Sequence, residues 1–516
     1  MAKLVPLFIT CSVLIHVASA ARILGIVPTP SYSHQVVFQP LWRELSLRGH
    51  HVTTLTTDPI KDPGLTNLTE IDLHFSYEEW NKMIMKNVLT FNDNIIGTML
   101  SLIDHTMDMY EQQLRHPSVQ DLIKGDHRFD LVIIEAFAPM MSAFAQKIQC
   151  PFIAMISTDG FTDQFKQVGN PTHLVVYPDL MHDFDVELPF LQRLKSVVFA
   201  YVFQLLGIYG NYLQARLVEK HFGPNFPAID DIMSNVSMLF VNADPVFHKI
   251  RPLVPAVVQI GGGTHLRPPK PLPPHLQQRL DSAKDGFIYF SLGSNVKSKD
   301  IPAETRAIIL ETFSELPYTI LWKFEAENLP NKSDNVIISK WLPQQDVLRH
   351  PNIKLFITQG GLQSSDETIY TGVPIVGMPF FGDQMANIKK MVAKGVGLSV
   401  DYTSLEREDF KGKIQEVIRN PRYRNRIKEL AELAQDQPMT GLERAVWWSE
   451  YVIRHKGARH LRSPLLDIPW YQYLFLDVIA VLLFVFTLTM YICYKFIRSL
   501  FYLLRRILYN RTKKLV

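Results

Sequence analysis

The sequence predicts an α/β protein: two doubly wound domains facing a cleft, followed by one C-terminal transmembrane helix. Three observations carry this. Short apolar runs alternate with amphipathic segments through both halves of the 516 residues, as parallel sheets covered by helices on both faces require. A proline-rich stretch, Leu266-Arg-Pro-Pro-Lys-Pro-Leu-Pro-Pro-His275, follows a Gly261-Gly262-Gly263 break and suits a stiff linker between the halves. An apolar segment from about Leu474 to Tyr494 is long enough to span a bilayer, which takes roughly 20 residues.

In the first half, strands are expected at Arg22–Val27, Val52–Thr56, Leu131–Glu135 and Phe152–Ile156, with a helix at Gln35–Leu47. In the second, they are expected at Phe287–Ser291, Thr319–Phe324, Val336–Ile338, Lys354–Thr358 and Pro374–Met378. The domain plan is a signal segment at 1–20, a first domain at 21–265, the linker at 266–285 and a second domain at 286–470. The span at 474–494 and a basic tail at 495–516 complete it. A weakly patterned stretch, Phe190–Tyr212, is rich in Leu, Val, Phe and Tyr. It reads as a buried helix, with a membrane-surface helix or the wall of a pocket as alternatives.

The first twenty residues have a charge at Lys3, an apolar run Leu4–Val17 and a small-residue cleavage site, Ala18-Ser19-Ala20. Asp477 lies at one edge of the later span, and Trp470, Tyr471 and Tyr473 suit interfacial anchors. Beyond the span stand Lys495, Arg498, Arg505, Arg506, Arg511, Lys513 and Lys514 with no acid among them, which makes this end cytosolic. The expectation is a type I membrane protein with a lumenal body. Lys513-Lys514, third and fourth from the end, resemble a dilysine retrieval address of the endoplasmic reticulum.

Removing these seven tail positives and Lys3 from 53 Lys and Arg leaves 45 against 50 acids, so the body is mildly acidic and points away from nucleic acid. Of the three cysteines, Cys11 lies in the signal and Cys493 in the span. Cys150 is then alone, and the fold must rest on its core. Sequons at Asn67, Asn235 and Asn331 can carry glycans; Asn510 falls on the cytosolic side.

The chemistry concentrates between Phe356 and Gln384. An apolar strand from Ile353 to Thr358 breaks at Gly360-Gly361 and passes into a helix ended by Gly372 and Pro374. Such a turn is an anion site, because unpaired amides and the helix dipole face outward where glycine lets the backbone approach. Glu367 falls about two turns into the helix, placed to accept from a sugar hydroxyl. Asp383-Gln384 closes the next strand-to-loop junction with a carboxylate and an amide suited to more hydroxyls. A phosphate site followed by two polyol sites describes a nucleotide sugar.

This block, with Trp341-Leu-Pro-Gln-Gln345 and Phe290-Ser-Leu-Gly-Ser294, resembles the donor signature of UDP-glycosyltransferases. Signal, span and basic tail resemble the family's animal membrane-bound branch, insect-like in one residue noted below. The resemblance implies a GT-B fold of two Rossmann-like domains, the first binding acceptor and the second UDP-sugar. It also implies metal-independent, inverting transfer of a hexose, glucose foremost, to a hydroxyl of a small lipophilic acceptor. No separate cofactor is implied; the UDP-sugar is a co-substrate.

Carried over, Trp341 stacks on uracil, Gln344 bonds uridine, Ser294 meets the pyrophosphate and Glu367 holds the ribose. Asp383 and Gln384 hold the sugar, while Gln363 and Ser364 lie near the phosphates with the Gly360-Gly361 turn. Gln359 departs from the histidine most members carry. Its amide donates the same bond without a possible charge, and some insect members share it. No Asp-x-Asp is placed to hold a diphosphate-bound metal, and no His-Cys cluster has zinc spacing.

Pro28-Thr-Pro-Ser-Tyr-Ser-His34 follows the first strand and opens the first helix, matching the family's catalytic histidine. Inverting transfer needs a base within hydrogen-bond reach of the acceptor hydroxyl, and imidazole titrates near neutrality. The family's partner carboxylate falls on Glu135, one methylene longer than the usual aspartate. Asp130 lies at the wrong end of the same strand, and His50 and His51 read as solvated or capping residues. A catalytically inactive lumenal homologue that binds a small molecule or nucleotide sugar is the alternative, sustained by Glu135 and Gln359.

Overall fold

A computed structural model describes residues 20–88, 94–177, 189–248 and 250–512. The body of the expected signal segment and the Lys513–Lys514 pair lie outside the described residues. Residues up to Leu461 form one compact unit and Arg462–Val516 a second.

The first unit contains two fully parallel sheets. One has seven strands: β1 (Arg22–Val27), β2 (His51–Thr56), β3 (Leu68–Asp72), β4 (Leu131–Glu135), β5 (Phe152–Ile156), β6 (Met238–Val241) and β7 (Val257–Gln259), in the order β3-β2-β1-β4-β5-β6-β7. The other has six: β8 (Phe287–Ser291), β9 (Thr319–Lys323), β10 (Val336–Ser339), β11 (Ile353–Thr358), β12 (Ile375–Gly377) and β13 (Gly397–Ser399), in the order β10-β9-β8-β11-β12-β13. The central strands β4, β5 and β8 are buried at every residue, as sheets covered on both faces demand. Each sheet therefore separates two apolar layers. Phe144, Phe165 and Leu239 pack on one face of the first sheet, and Phe38, Trp42 and Phe240 on the other. Both sheets reverse strand order beside their first strand, β1 against β4 and β8 against β11. Those reversals open crevices at the carboxyl ends of the strands.

Strands β3, β6, β7 and β13 escaped the sequence reading. The last two are three residues long, too short for a periodic signal. Four further expectations change. Phe190–Phe222 is one helix of 33 residues, but Phe190, Leu191, Leu194, Val198, Tyr201, Leu205 and Ile208 are exposed, so the buried-helix reading fails. Its apolar residues surround the helix instead of forming one stripe, and only one side meets the sheet's covering layer. The linker range holds a helix, Pro274–Asp281, whose Leu276 and Leu280 pack with Leu272 into the second lobe's core. The helix Gly441–His455, inside the range assigned to the second domain, packs Ala445, Val446 and Val452 on the first sheet. His50, read as solvated or capping, is not solvated: it is buried there, accepting from Ala21 N at 3.1 Å and lying 3.5 Å from Glu450 of that helix.

In the second unit a helix of 37 residues, Leu476–Thr512, covers the expected span except Leu474 and Phe475 and runs on into the basic stretch. At about 1.5 Å per residue it exceeds the roughly 30 Å of a hydrocarbon core, so it is long and apolar enough to cross a membrane.

Candidate active site

Strand order places the first pair of residues. The chain leaves β1 through Pro28–Ser31 and enters the helix Tyr32–Leu47, so His34 sits in that helix's first turn. β4 pairs beside β1 with Ile26 opposite Ile134, which brings Glu135, the last residue of β4, under the same opening. His34 Nδ1 lies 2.6 Å from Glu135 Oε1. Glu135 is fully buried, and its other oxygen accepts from Thr29 N at 3.2 Å. The longer carboxylate thus reaches the ring with both oxygens engaged, leaving the opposite ring nitrogen, Nε2, for a substrate. Phe137 packs its ring 5.3 Å from the imidazole. Asp130 holds Arg22 N at the other end of the strands.

The second lobe supplies the facing wall. After β11 the backbone turns through Gly360 at φ +86°, a conformation suited to glycine, and a Cβ there would run into Ile388. Asn387 secures this turn, donating to Gly360 O at 3.0 Å and to Asp383 Oδ2 at 2.7 Å. Gln384 Oε1 accepts from Phe380 N and Phe381 N at 2.9 and 3.2 Å, which turns its NH2 to the ligand side. Burial raises the Asp383 pKa, against the Asn387 bond and the charges of Lys390 and His34.

Glu367 is buried in the helix Leu362–Thr371 and held from three sides. Gln344 Nε2 donates at 2.6 Å, Gln345 Nε2 at 3.0 Å, and His265 Nε2 stands 3.5 Å away. Burial raises its pKa, but His265 and the two amides outweigh this and hold it below the usual value. Burial likewise lowers His265, yet Glu367 keeps its pKa above the ordinary histidine value. The neighbouring Asp366 has an unpartnered buried oxygen, and burial pushes its pKa up to about 7.

Every predicted catalytic and donor residue except Glu135 and Gly360 lines one cavity of about 460 Å³ between the lobes. Glu135 and Gly360 lie behind it. Trp341, 56% exposed, presents its ring there, with Tyr32 edge-on at 5.3 Å and Lys323 Nζ 5.4 Å from its centroid. Ser294 follows the Gly293 turn, and Gln359 packs against that glycine with an unpartnered buried Oε1.

Two residues differ from expectation. Gln344 is taken up within its lobe: it also donates to Ser364 Oγ at 2.9 Å and accepts from Tyr289 OH at 3.0 Å, so a side-chain bond to uridine requires exchanging a partner. Gln363 lines the cavity, but its amide donates across the cleft to Ser157 O at 2.9 Å. Of the sequons, Asn235 and Asn331 are exposed and Asn67 is half-buried.

The sequence reading missed Tyr32, Lys323, Gln345 and His265. Lys323 is buried, donating to Gly293 O at 2.8 Å and Glu325 Oε1 at 2.7 Å, so it braces the Gly293 turn while lying over the Trp341 ring. Its signal was available: a lysine closing the otherwise apolar strand Thr319–Lys323 needs a buried partner. Gln345 stands in the Trp341–Gln345 motif but received no role there.

Two doubly wound lobes sharing a cleft, one with a glycine turn and a set of polar side chains, the other with a histidine–carboxylate dyad, define a GT-B glycosyltransferase that draws on a nucleotide sugar. The family model for UDP-glucoronosyl and UDP-glucosyl transferase matches residues 22–514, and the chain belongs to that family. It is 35% identical to UDP-glycosyltransferase UGT5 of Dactylopius coccus over 94% of this chain and 93% of that protein. It is 31% identical to human UDP-glucuronosyltransferase 1A5, covering 93% and 91%. Among solved structures it resembles the glycotransferase of kitacinnamycin, with TM-score 0.56 and 18% identity over 84% of this chain and 99% of that one. VinC in complex with dTDP superposes with TM-score 0.56 at 16% identity, covering 84% and 100%. These structures speak for the fold; the family makes the chain a UDP-sugar-dependent transferase.

Proposed function

We propose that this enzyme moves a hexose, glucose foremost, from UDP-sugar to a hydroxyl of a small lipophilic acceptor, with inversion and with His34 as general base. The carrying observation is the 2.6 Å contact of His34 with buried Glu135, at a cavity whose opposite wall holds Asp383 and Gln384. Glu135 fixes the ring so that Nε2 accepts the hydroxyl proton, and its carboxylate stabilises the imidazolium as it forms. The acceptor oxygen then attacks the anomeric carbon opposite UDP. The Gly360-Gly361 turn and the amino end of the helix Leu362–Thr371 favour the negative charge growing on the diphosphate. Trp341 takes the uracil face, Glu367 the ribose, and Asp383 with the free amide of Gln384 the sugar hydroxyls.

The long apolar helix fits an anchor with the body in the endoplasmic reticulum lumen and the basic end in the cytosol. Replacing Lys513 and Lys514 redistributes the protein from that membrane if they form a retrieval address; unaltered microsomal staining counts against it.

The chemistry is tested with the full chain, UDP-glucose and a phenol panel, reading UDP release and glucoside by mass spectrometry. The expected result is turnover that His34→Ala lowers by about 10²–10⁴ while UDP binding persists. Turnover by His34→Ala within about tenfold of wild type, or UDP binding without turnover on any acceptor, overturns it, the latter in favour of an inactive binding homologue.

A further inference from the structure

A second cavity adjoins the first and has no part in the chemistry above. It measures about 550 Å³ and shares Met99, Leu102 and Phe137 with the cleft cavity. Phe137 is the link to the chemistry, since its ring packs against His34 at 5.3 Å on one side and against Phe161, in the second cavity's wall, at 5.7 Å on the other. The chamber runs along the helix Ile95–Arg115 from Met99 to Tyr110, a length of about 16 Å. The helix Phe190–Phe222 forms the opposite wall.

That wall holds Gly207 and Gly210, one turn apart in the interior of a long helix, where glycine is the least favourable residue apart from proline. Neither has the positive φ that would explain it. What they provide is room: a Cβ on Gly207 would meet nothing closer than Asp163 Oδ2 at 3.5 Å, and one on Gly210 only Ile103 Cγ2 at 3.8 Å. Several polar groups of the chamber are paired, while Thr106, Gln167, Thr172, Gln204 and Asn211 also line it. Gln164 donates to Ala136 O and accepts from Phe161 N, Gln214 accepts from Met140 N, and Asp163 pairs with Lys166. What remains is mainly apolar wall.

We infer that this chamber is the distal half of a two-part acceptor site and takes the apolar body of an elongated alcohol whose hydroxyl lies at His34. The glycine pair sets how long that body can be. The inference rests on the transfer reaction proposed above and adds the acceptor's shape: one reactive hydroxyl, then a mainly apolar body extending past Phe137 for about 16 Å. A compact phenol fills the cleft cavity alone.

The test is a homologous series of 4-alkylphenols, from methyl to octyl, bound to the full chain in lipid nanodiscs with UDP present and followed by calorimetry. Each methylene that enters the chamber strengthens binding about fourfold. Gly207→Trp and Gly210→Phe fill the chamber from its wall. The expected result is an octyl-to-methyl affinity ratio at least tenfold smaller in both variants than in wild type. Partition of the longer phenols into lipid lowers the ratio equally in all three proteins and cancels in the comparison. General damage to the fold weakens every phenol and leaves the ratio unchanged. An equal ratio in wild type and both variants therefore overturns the inference. UDP release in the same series separates this from the reaction itself. A ratio that collapses in the variants without any turnover by wild type keeps the chamber and removes the transferase reading.

Discussion

The two walls of the cleft are built on opposite principles. On the second lobe nearly every polar side chain is held by another: Glu367 by Gln344, Gln345 and His265, Gln384 by two backbone amides, Asp383 by Asn387, Lys323 by Gly293 and Glu325. On the first lobe one dyad, His34 with Glu135, faces mainly apolar walls that open into a second chamber. A side chain fixed before the ligand arrives costs little further ordering on binding, which suits a single invariant donor. Apolar walls discriminate by size and shape and accept many outlines. On the proposed reading, one lobe suits one molecule and the other a class of them.

The largest expected effect breaks this contrast at its single polar point. His34→Ala lowers kcat by about 10²–10⁴, the usual share of a general base, while Kd for UDP from calorimetry stays within a factor of about two. A parallel loss of UDP affinity would mean that the dyad belongs to the donor wall. Next in size, Glu135→Gln retains the contact but not the charge that stabilises imidazolium, and kcat falls by about 10² with KM for UDP-glucose little changed. Equal kcat would reduce Glu135 to a packing role.

These two residues also show how much was legible. Glu135 was readable because it ends an unbroken apolar run, and its position beside His34 follows from β1 pairing with β4. The donor block was legible for the same reason: glycine turns, helix starts and strand ends are local events with local signals. What could not be read was anything decided by elements far apart in sequence. Gln344 looked like a ligand contact until Tyr289, Ser364 and Glu367, all distant in the chain, took up its amide. Gln363 likewise met Ser157 from the other lobe. The helix Phe190–Phe222 was ambiguous because its apolar residues follow no single face, and only the fold decides which are covered.

On the donor wall, Trp341→Ala removes the exposed ring that Tyr32 and Lys323 flank, and UDP binding weakens by about 1–3 kcal/mol. Unchanged calorimetric affinity would refute stacking and leave Trp341 as the seat of Lys323.

The smallest effect tests how tightly the donor wall is prebuilt. Asp366, behind Glu367, has its pKa raised by burial to about 7 from an ordinary 3.8. The folded state then binds the proton more strongly than the unfolded chain, so stability falls as pH rises between those values. His265, also raised, adds to the loss as pH passes from 6.5 through its folded value. Asp366→Asn removes the first contribution. Its melting temperature therefore declines less than that of wild type between pH 5 and pH 8, by about a few degrees in differential scanning calorimetry. Parallel declines would mean that water or a ligand already satisfies the Asp366 carboxylate.

The helix Gly441–His455 has one further consequence. Having built the donor lobe, the polypeptide comes back to lay Ala445, Val446 and Val452 on the sheet where it started. The lobes are thereby stitched together twice, once through the proline-rich passage and once through this return. A protease that cuts near Pro271 would leave a nicked enzyme whose fragments stay joined without a covalent bond.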